Sequence, residues 1–519
     1  MSEYKSELRL KNEGNFLYAK GEYERAYRRY TEAIARNDKV AVYYSNRAAC
    51  SLALRRYIDA ANDARRATQI DPELIDGWKR LAAALIILSK FPCSQTSWKR
   101  AVAMLNRDNL TLEQKEDYNL WLKGARPVWD EILGRRNAIL SRSNVPKGGF
   151  SWDRASAVQL ELARLGNEKH QSSVWVINGA SHEFIEGVRI MRSLTKITSE
   201  GTATYLRTPN AMDCLVGGIL RDDRVFHIDD SSWLIDFNQL VTFDTELYQA
   251  QPSELSVVVI EDAQKRLRRL GWDAVRPSLA KTVRIWIMRA FIEGVMHEDY
   301  SLAAEFIGRA LDVLDWGYRT WLDVPETDKG VIFSSTFIRG VRSMYLDNLM
   351  KAFYDHAGEY TAEHLGGIYE TAEEILRDLD SNPLVKARTR DYNHGFESSF
   401  TTYPRGRALR AKAFCHQELA VVLENASLKE REDHRHHAAK LYLEAADCYP
   451  VDDELHVWML KCAVEELRQC SAEYKQMSGI IKRIKSAIPK MRRIWEHSLL
   501  ALHGRDHSIR QVLELERTS

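Results

Sequence analysis

Three short segments near the start of the chain bring amine, amide and guanidinium groups to recurring places: Lys11-Asn12-Glu13-Gly14-Asn15, Ser45-Asn46-Arg47-Ala48-Ala49 and Gly77-Trp78-Lys79-Arg80. Groups of these types are suited to binding. A C-terminal carboxylate leaving water needs donors that converge on it from several helices, and Lys, Asn and Arg supply charge-assisted ones. The bland alternative is that Lys11 and Arg80 are ordinary solvated residues and that the asparagines hydrogen-bond only between neighbouring units.

Other constellations point less clearly to chemistry. Arg221 to Asp230, with Asp222, Asp223, His227 and Asp229 inside it and Asp236 beyond, holds oxygen and nitrogen ligands that a hard or borderline divalent cation could use. It lacks the glycine and terminal glutamate of a calcium loop, so a surface turn with solvated carboxylates is the expectation. A metal or acid-base site near Asp222, His227 and Asp230 is the enzyme alternative. His434 and His437, with His436 between them, could share a helix face, but no further ligand is implied and an exposed polar helix N-terminus fits better. His182-Glu183-Phe184-Ile185-Glu186 opens like a zinc-protease helix, yet glutamate stands where chelation needs the second histidine. There is no G-x-S-x-G elbow, no G-x-x-x-x-G-K loop and no G-x-G-x-x-G after a strand, so neither a cofactor nor a catalytic residue is expected.

Helices must position the first three segments. Over residues 7 to about 105, three helical hairpins overlay with a period of 34 residues, counted from Glu7, Ala41 and Ile75. The eighth position of each unit is small (Gly14, Ala48, Ala82), where antiparallel helices approach closely. Ala33, Ala67 and Ala101 share a second slot, and Ala26, Ala60 and Ser94 a third. A bulky slot holds Tyr30 and Trp98 but Ala64 in the middle unit. Gly21 is placed to end the first helix, and Pro72 separates the second unit from the third. One such unit cannot bury its apolar stripe, whereas three stacked units share a core and leave a concave groove lined by their first helices.

In period and slot pattern this region resembles tetratricopeptide repeats, and its polar segments are similar to the dicarboxylate-clamp repeats of heat-shock co-chaperones. In that family, Lys and Asn of the first repeat, Asn of the second, and Lys and Arg of the third grip the acidic C-terminal tail of heat-shock chaperones. The resemblance implies Lys11, Asn15, Asn46 and Arg80 as four of the five carboxylate-binding residues. Asp76 stands where the fifth, a lysine, would be, and Lys79 is a candidate to replace that amine in part. A carboxylate beside a bound carboxylate is repulsive and costs several kcal/mol if both stay charged and desolvated.

Across its 519 residues the chain is balanced at a formal charge of +1, with 45% hydrophobic and 28% charged residues, as in ordinary globular proteins. No global field draws it to nucleic acid or an anionic membrane. Lys482, Arg483, Lys485, Lys490, Arg492 and Arg493 are locally basic, but the isoleucines between them keep helical spacing, so a solvated outer face is expected. The start MSEYKSELRLKNEG has no apolar signal region, and no run of about 18 apolar residues exists to span a membrane. Seven cysteines without a C-x-x-C pair fit a reducing, cytoplasmic setting.

Beyond the repeats, residues 111–133 read as a capping helix and 134–153 as a linker. The fold expected is all-α, in three parts. Residues 1–135 are the repeat domain, 147–260 a mostly helical middle with a small irregular sheet, and 261–519 a helical region with degenerate repeats. Val174 to Ile177 and Val257 to Ile260 are short β-branched runs for which periodicity does not decide between strand and helix. Ala303, Ile307 and Ala310 fill repeat-like slots, as do Ala438, Tyr442, Ala445 and Pro450 in a unit read over 419–450. Pro489 is expected to kink or split the last long helix. The function expected is a non-catalytic protein-interaction adaptor, co-chaperone-like, with a protein partner and neither nucleic acid nor membrane. A general scaffold that binds an internal helix or extended segment is the second reading.

Overall fold

Gly21, at φ +79°, sets the first corner of the chain. Only a residue without Cβ takes that conformation cheaply, and here it lets the Glu22 amide return to the Leu17 carbonyl at 3.0 Å, closing helix α1 (Ser2–Ala19) before α2 (Tyr23–Arg36) begins. The computed structural model describes residues 2–54, 56–87, 148–164, 171–194, 196–199, 202–205, 210–230, 232–355, 362–384, 394–422, 427–470 and 474–518. The chain divides into two compact units, Met1–Arg136 with Gln251–Glu261, and Asn137–Ala250 with Asp262–Ser519.

In the first unit α1 and α2 are followed by α3 (Ala41–Ala53), α4 (Tyr57–Ile70) and α5 (Ile75–Ile87). Each helix packs on the next, and α3 also touches both α1 and α5, so the first helices of the three hairpins form one layer. The slot pattern has a direct steric cause. A Cβ on Gly14 would lie 2.7 Å from the Tyr30 ring, so the small residue of one slot makes room for the bulky residue of another. Ala26, Ala33, Ala48, Ala60, Ala64 and Ala67 are all fully buried between helices. The second helix of the third hairpin, with Ser94, Trp98 and Ala101, and the expected capping helix over 111–133 lie outside the described residues.

The second unit begins with Gly148 in a left-handed turn and α6 (Ser151–Arg164), so the expected linker gives way to helix by Ser151. Next come α7 (Val174–Arg192), the antiparallel strands β1 (Lys196–Ser199) and β2 (Thr202–Tyr205) with Lys196 opposite Tyr205, α8 (Ala211–Arg221) and α9 (Trp233–Tyr248). Both undecided runs are helical: Val174 to Ile177 open α7, and Val257 to Ile260 lie in α10 (Ser256–Leu270). The fold is all-α, with that hairpin as the sheet seen among the described residues.

α11 (Trp272–Met296) is the centre of this unit, packed by α8, α9 and α12 (Tyr300–Thr320). Val283, Trp286, Ile287 and Ala290 are buried, and so are Arg284, Ile285, Met288 and Glu293 on the other faces, so the helix is enclosed all round. Ala303, Ile307 and Ala310 face it from α12, fully buried. α13 (Ser335–Asp355), α14 (Ala362–Ser381), α15 (His394–Phe400), α16 (Thr402–Val422), α17 (Leu428–Asp447), α18 (Glu454–Gln469), α19 (Tyr474–Trp495) and α20 (Arg505–Thr518) complete the order. Ala438, Tyr442 and Ala445 form the buried face of α17. The unit read over 419–450 is nevertheless misplaced, because the helix preceding α17 runs from Thr402 to Val422, which puts residue 419 in its last turn and not at a helix start. α19 runs through Pro489 as one helix rather than splitting. Its missing N–H removes one helical bond, while buried Ile481, Ile484, Met491 and Trp495 hold the element on its neighbours.

Candidate peptide-binding groove

Lys11 and Asn15 lie one turn apart on α1, so they share a face of that helix. Across the layer, Asn46 projects from α3 and Arg80 from α5. A chain of hydrogen bonds joins three of these four. The Tyr30 hydroxyl donates to Asn15 Oδ1 at 2.7 Å, and Asn46 Nδ2 donates to the same oxygen at 3.1 Å. Arg80 Nη1 then donates to Asn46 Oδ1 at 3.3 Å and to the Ser45 hydroxyl at 2.5 Å. Both amide oxygens are therefore occupied by donors, which turns the amide N–H groups of Asn15 outward. Arg80 is 23% exposed, and its nearest carboxylate among the described residues, Asp76 one turn earlier on α5, is 3.9 Å away, beyond hydrogen-bond range.

The donors stand on a rigid floor. Arg47 on α3 makes a two-pronged ion pair with Asp63 on α4, both contacts at 2.8 Å, and its guanidinium lies over the rings of Tyr27 and Tyr44. Burial pushes the Asp63 carboxyl up despite Arg47, and burial pushes the Cys50 thiol up to about 12, so that thiol is not a nucleophile at neutral pH. Burial likewise raises Tyr30, which keeps its hydroxyl protonated as a donor to Asn15.

Lys11 is half-buried and joins no hydrogen bond of the chain. Lys79 is half-buried on α5 but sits about 100° around the helix from Arg80, and no bond ties it to Asn15, Asn46 or Arg80 among the described residues. Tyr30 and Ser45 are the participants that sequence reasoning missed. Tyr30 was assigned only as bulk, and its signal is a hydroxyl in a slot that a phenylalanine would fill. Ser45 stands next to Asn46, where a small donor-acceptor can meet an arginine one period away.

The other constellations have different fates. In the second unit Asp222 is 1% exposed and accepts from Arg224 at 2.7 Å, Asp223 pairs with Arg407 at 2.7 Å, and Asp229 and Asp230 both meet Arg192, at 2.6 and 2.7 Å, with Asp236 at 3.7 Å. Asp222 and Asp223 are thus paired inside the unit, unlike the surface-turn reading, whereas Asp229 and Asp230 are exposed, as that reading has it, while both also meet Arg192. The His227 ring stacks on Trp152 at 4.8 Å, with Nδ1 2.9 Å from the Val225 carbonyl. Among the described residues no three His, Cys, Asp or Glu side chains are arranged to hold a metal ion. His434 and His437 do share a face, but it is turned toward His416 on α16, with His434 Nδ1 2.9 Å from His416 Nδ1. The exposed-terminus reading therefore holds for His436 and fails for His434. In the basic stretch of α19, Arg483, Arg492 and Arg493 pair with Asp447, Asp506 and Glu161, while Lys482 and Lys490 are exposed. No described helix is long and apolar enough to cross a membrane.

One buried carboxyl lacks such a partner. Asp244 on α9 is fully buried and neither of its oxygens is hydrogen-bonded among the described residues. Lys281 approaches to 4.0 Å but is bonded to Asp213, which Arg284 also contacts at 3.2 Å. Burial, with Asp213 adding to it against the pull of Lys281 and Arg284, raises Asp244 to about 7.

No protein-family model matches the chain. The small glutamine-rich tetratricopeptide repeat-containing protein 2 of Saccharomyces cerevisiae is 38% identical over 109 residues, covering 21% of this chain and 31% of that protein. The heat-shock protein cognate co-chaperone sgt12 of Aspergillus fumigatus is 30% identical over 147 residues, covering 27% of this chain and 42% of that one. The chain thus spans less than half the length of either relative. Among solved structures, yeast Tom70 aligns over 98% of this chain and 96% of its own at 14% identity, with a TM-score of 0.22 that is too low to speak to helix arrangement. Taken with the geometry of the hairpins, the N-terminal repeats are tetratricopeptide repeats, and they resemble those of co-chaperones.

Proposed function

We propose that this chain is a non-catalytic, co-chaperone-like adaptor whose N-terminal repeats, within residues 1–135, hold the C-terminal end of a partner polypeptide. Asn15, Asn46 and Arg80 bind the terminal carboxylate, Lys11 supplies a second positive charge from α1, and Lys79 contributes only long-range attraction. The observation that supports this most is the hydrogen-bond chain from Tyr30 through Asn15 and Asn46 to Arg80. It crosses three repeats, fixes the donors, and leaves a guanidinium with no carboxylate at hydrogen-bonding distance among the described residues. The acidic tail of a heat-shock chaperone, which the resemblance implies, is one such chain end, and a cytoplasmic setting goes with it.

Calorimetry with a short peptide that has a free C-terminus tests the reading. Asn15→Ala or Arg80→Ala is expected to weaken binding by about 2 to 5 kcal/mol if each is a desolvated carboxylate contact. Equal affinity for wild type and both variants removes the assignment. A second reading is favoured by the open apolar depression on α1, lined by Leu8, Arg9, Asn12, Glu13 and Phe16, in which Phe16 is 60% exposed. Such a surface suits an internal helix or extended segment, and amidating the peptide separates the two readings, because only carboxylate binding suffers.

A further inference from the structure

The polar chain of the groove ends on a residue of the wrong sign for an acidic ligand. Asp76 lies in the first turn of α5, its side chain 58% exposed, with Oδ2 3.9 Å from Arg80 Nη2. It is one helical turn from the guanidinium offered to a ligand carboxylate, so a ligand that runs from Arg80 toward the start of α5 meets it. Arg80 is its ion-pair partner among the described residues, and at that distance the pair is too long to hydrogen-bond. Lys79, three residues on, makes no ion pair with it. Asp76 therefore presents an exposed carboxylate at the groove, beside Arg80 and without a hydrogen bond to it.

A fixed charge in such a place acts on selectivity. A ligand Asp or Glu beside the terminal carboxylate meets a like charge, whereas a ligand Lys or Arg meets a partner of opposite sign, and juxtaposed like charges are a common means of rejecting wrong partners. We propose that Asp76 selects among chain ends: the groove prefers a C-terminal segment with Lys or Arg beside its terminal carboxylate and disfavours one with Asp or Glu there. This rests on the carboxylate reading above and narrows it, since it ranks the acidic chaperone tail below a basic chain end.

The test uses the full chain and fluorescence anisotropy with two short synthetic peptides, identical except for Lys or Glu at the residue before the last, each made with a free and an amidated C-terminus. Wild type is expected to bind the free Lys peptide roughly tenfold more tightly than the free Glu peptide, with the gap shrinking at high salt. D76N should level the two and D76K should reverse them. Asp76 is exposed, so neither variant threatens folding. If amidation weakens both peptides but wild type binds Lys and Glu forms alike, or prefers Glu, the selectivity proposal is wrong and the carboxylate reading survives. If amidation changes nothing, or neither free peptide binds at millimolar concentration, the carboxylate reading fails and takes this inference with it.

Discussion

Arg80 and Arg224 each anchor a polar chain that ties together helices distant in sequence, and they are built oppositely. Arg224 donates to Asp222 at 2.7 and 2.9 Å and to Asp453 at 2.8 and 3.0 Å, and its guanidinium lies 3.8 Å from the centre of the Trp495 ring. Tyr403 adds a hydrogen bond to Asp453 at 2.5 Å, and Arg505 pairs with the adjacent Glu454 at 2.8 Å. Arg80 instead gives its hydrogen bonds to a serine and an asparagine. An arginine bonded to carboxylates is neutralised, while one bonded to neutral groups is aimed but keeps its charge. The first arrangement closes a core, and the second is the one that the proposed carboxylate contact needs.

Breaking the closed network has the largest expected effect. Arg224→Ala strands Asp222 and Asp453, which are 1% and 0% exposed. Burial raises Asp453, but Arg224 together with the Tyr403 hydroxyl holds it below the usual carboxylate range, and that compensation is lost. Removing one partner of a buried pair costs about 3 to 5 kcal/mol, so thermal unfolding should shift well below wild type. Arg80→Ala removes hydrogen bonds to two neutral partners, the half-buried Asn46 and the buried Ser45, and should cost less, about 1 to 2 kcal/mol in the same measurement. Similar melting of the two variants would erase the distinction between a closing and a receiving arginine.

A pH titration sharpens the contrast from another side, because Asp244 is a buried carboxyl with no guanidinium at bonding distance among the described residues. Its pKa is raised from 3.8 to about 7, so between those values the folded chain binds more protons than the unfolded one. The contribution of this group to stability is therefore full below about pH 4 and is lost as pH rises through about 7, by up to about 4 kcal/mol. Asp244→Asn should flatten that part of the stability profile in urea unfolding at a series of pH values. An unchanged profile in the variant would mean that Asp244 titrates normally.

How much of this was legible in the sequence depended on how local its causes are. The hairpins α1 to α4 could be read because Gly21, the alanine slots and the Gly14–Tyr30 fit act within a single 34-residue period. The closed network could not, since Arg224 and Asp453 meet from opposite ends of the second unit and nothing near either residue announces the other. The full enclosure of α11 is hidden for a related reason. Lys281, Arg284 and Glu293 look like a solvent face until α8, α9 and α12 cover them and their charges are met by side chains such as Asp213 and His297. In the groove the donors were legible as types at a spacing. Their orientation was not, because it depends on the hydroxyls of Tyr30 and Ser45, which no period demands.

That dependence gives the smallest and most specific prediction. Tyr30→Phe keeps the ring that Gly14 accommodates and removes only the hydroxyl, so packing between α1 and α2 is preserved. Asn15 Oδ1 then has Asn46 as its single donor and its amide is free to rotate. The hydrogen bond is between neutral groups, and its loss should cost about 0.5 to 1.5 kcal/mol. If the hydroxyl serves the ligand by holding the Asn15 amide outward, that loss appears in peptide affinity as a several-fold weakening, while the melting temperature barely moves. If it only braces the hairpin, melting drops and affinity at a temperature well below the transition is unchanged. Measuring both on one variant therefore tells whether the chain of bonds across the repeats is a receptor or merely a seam between helices.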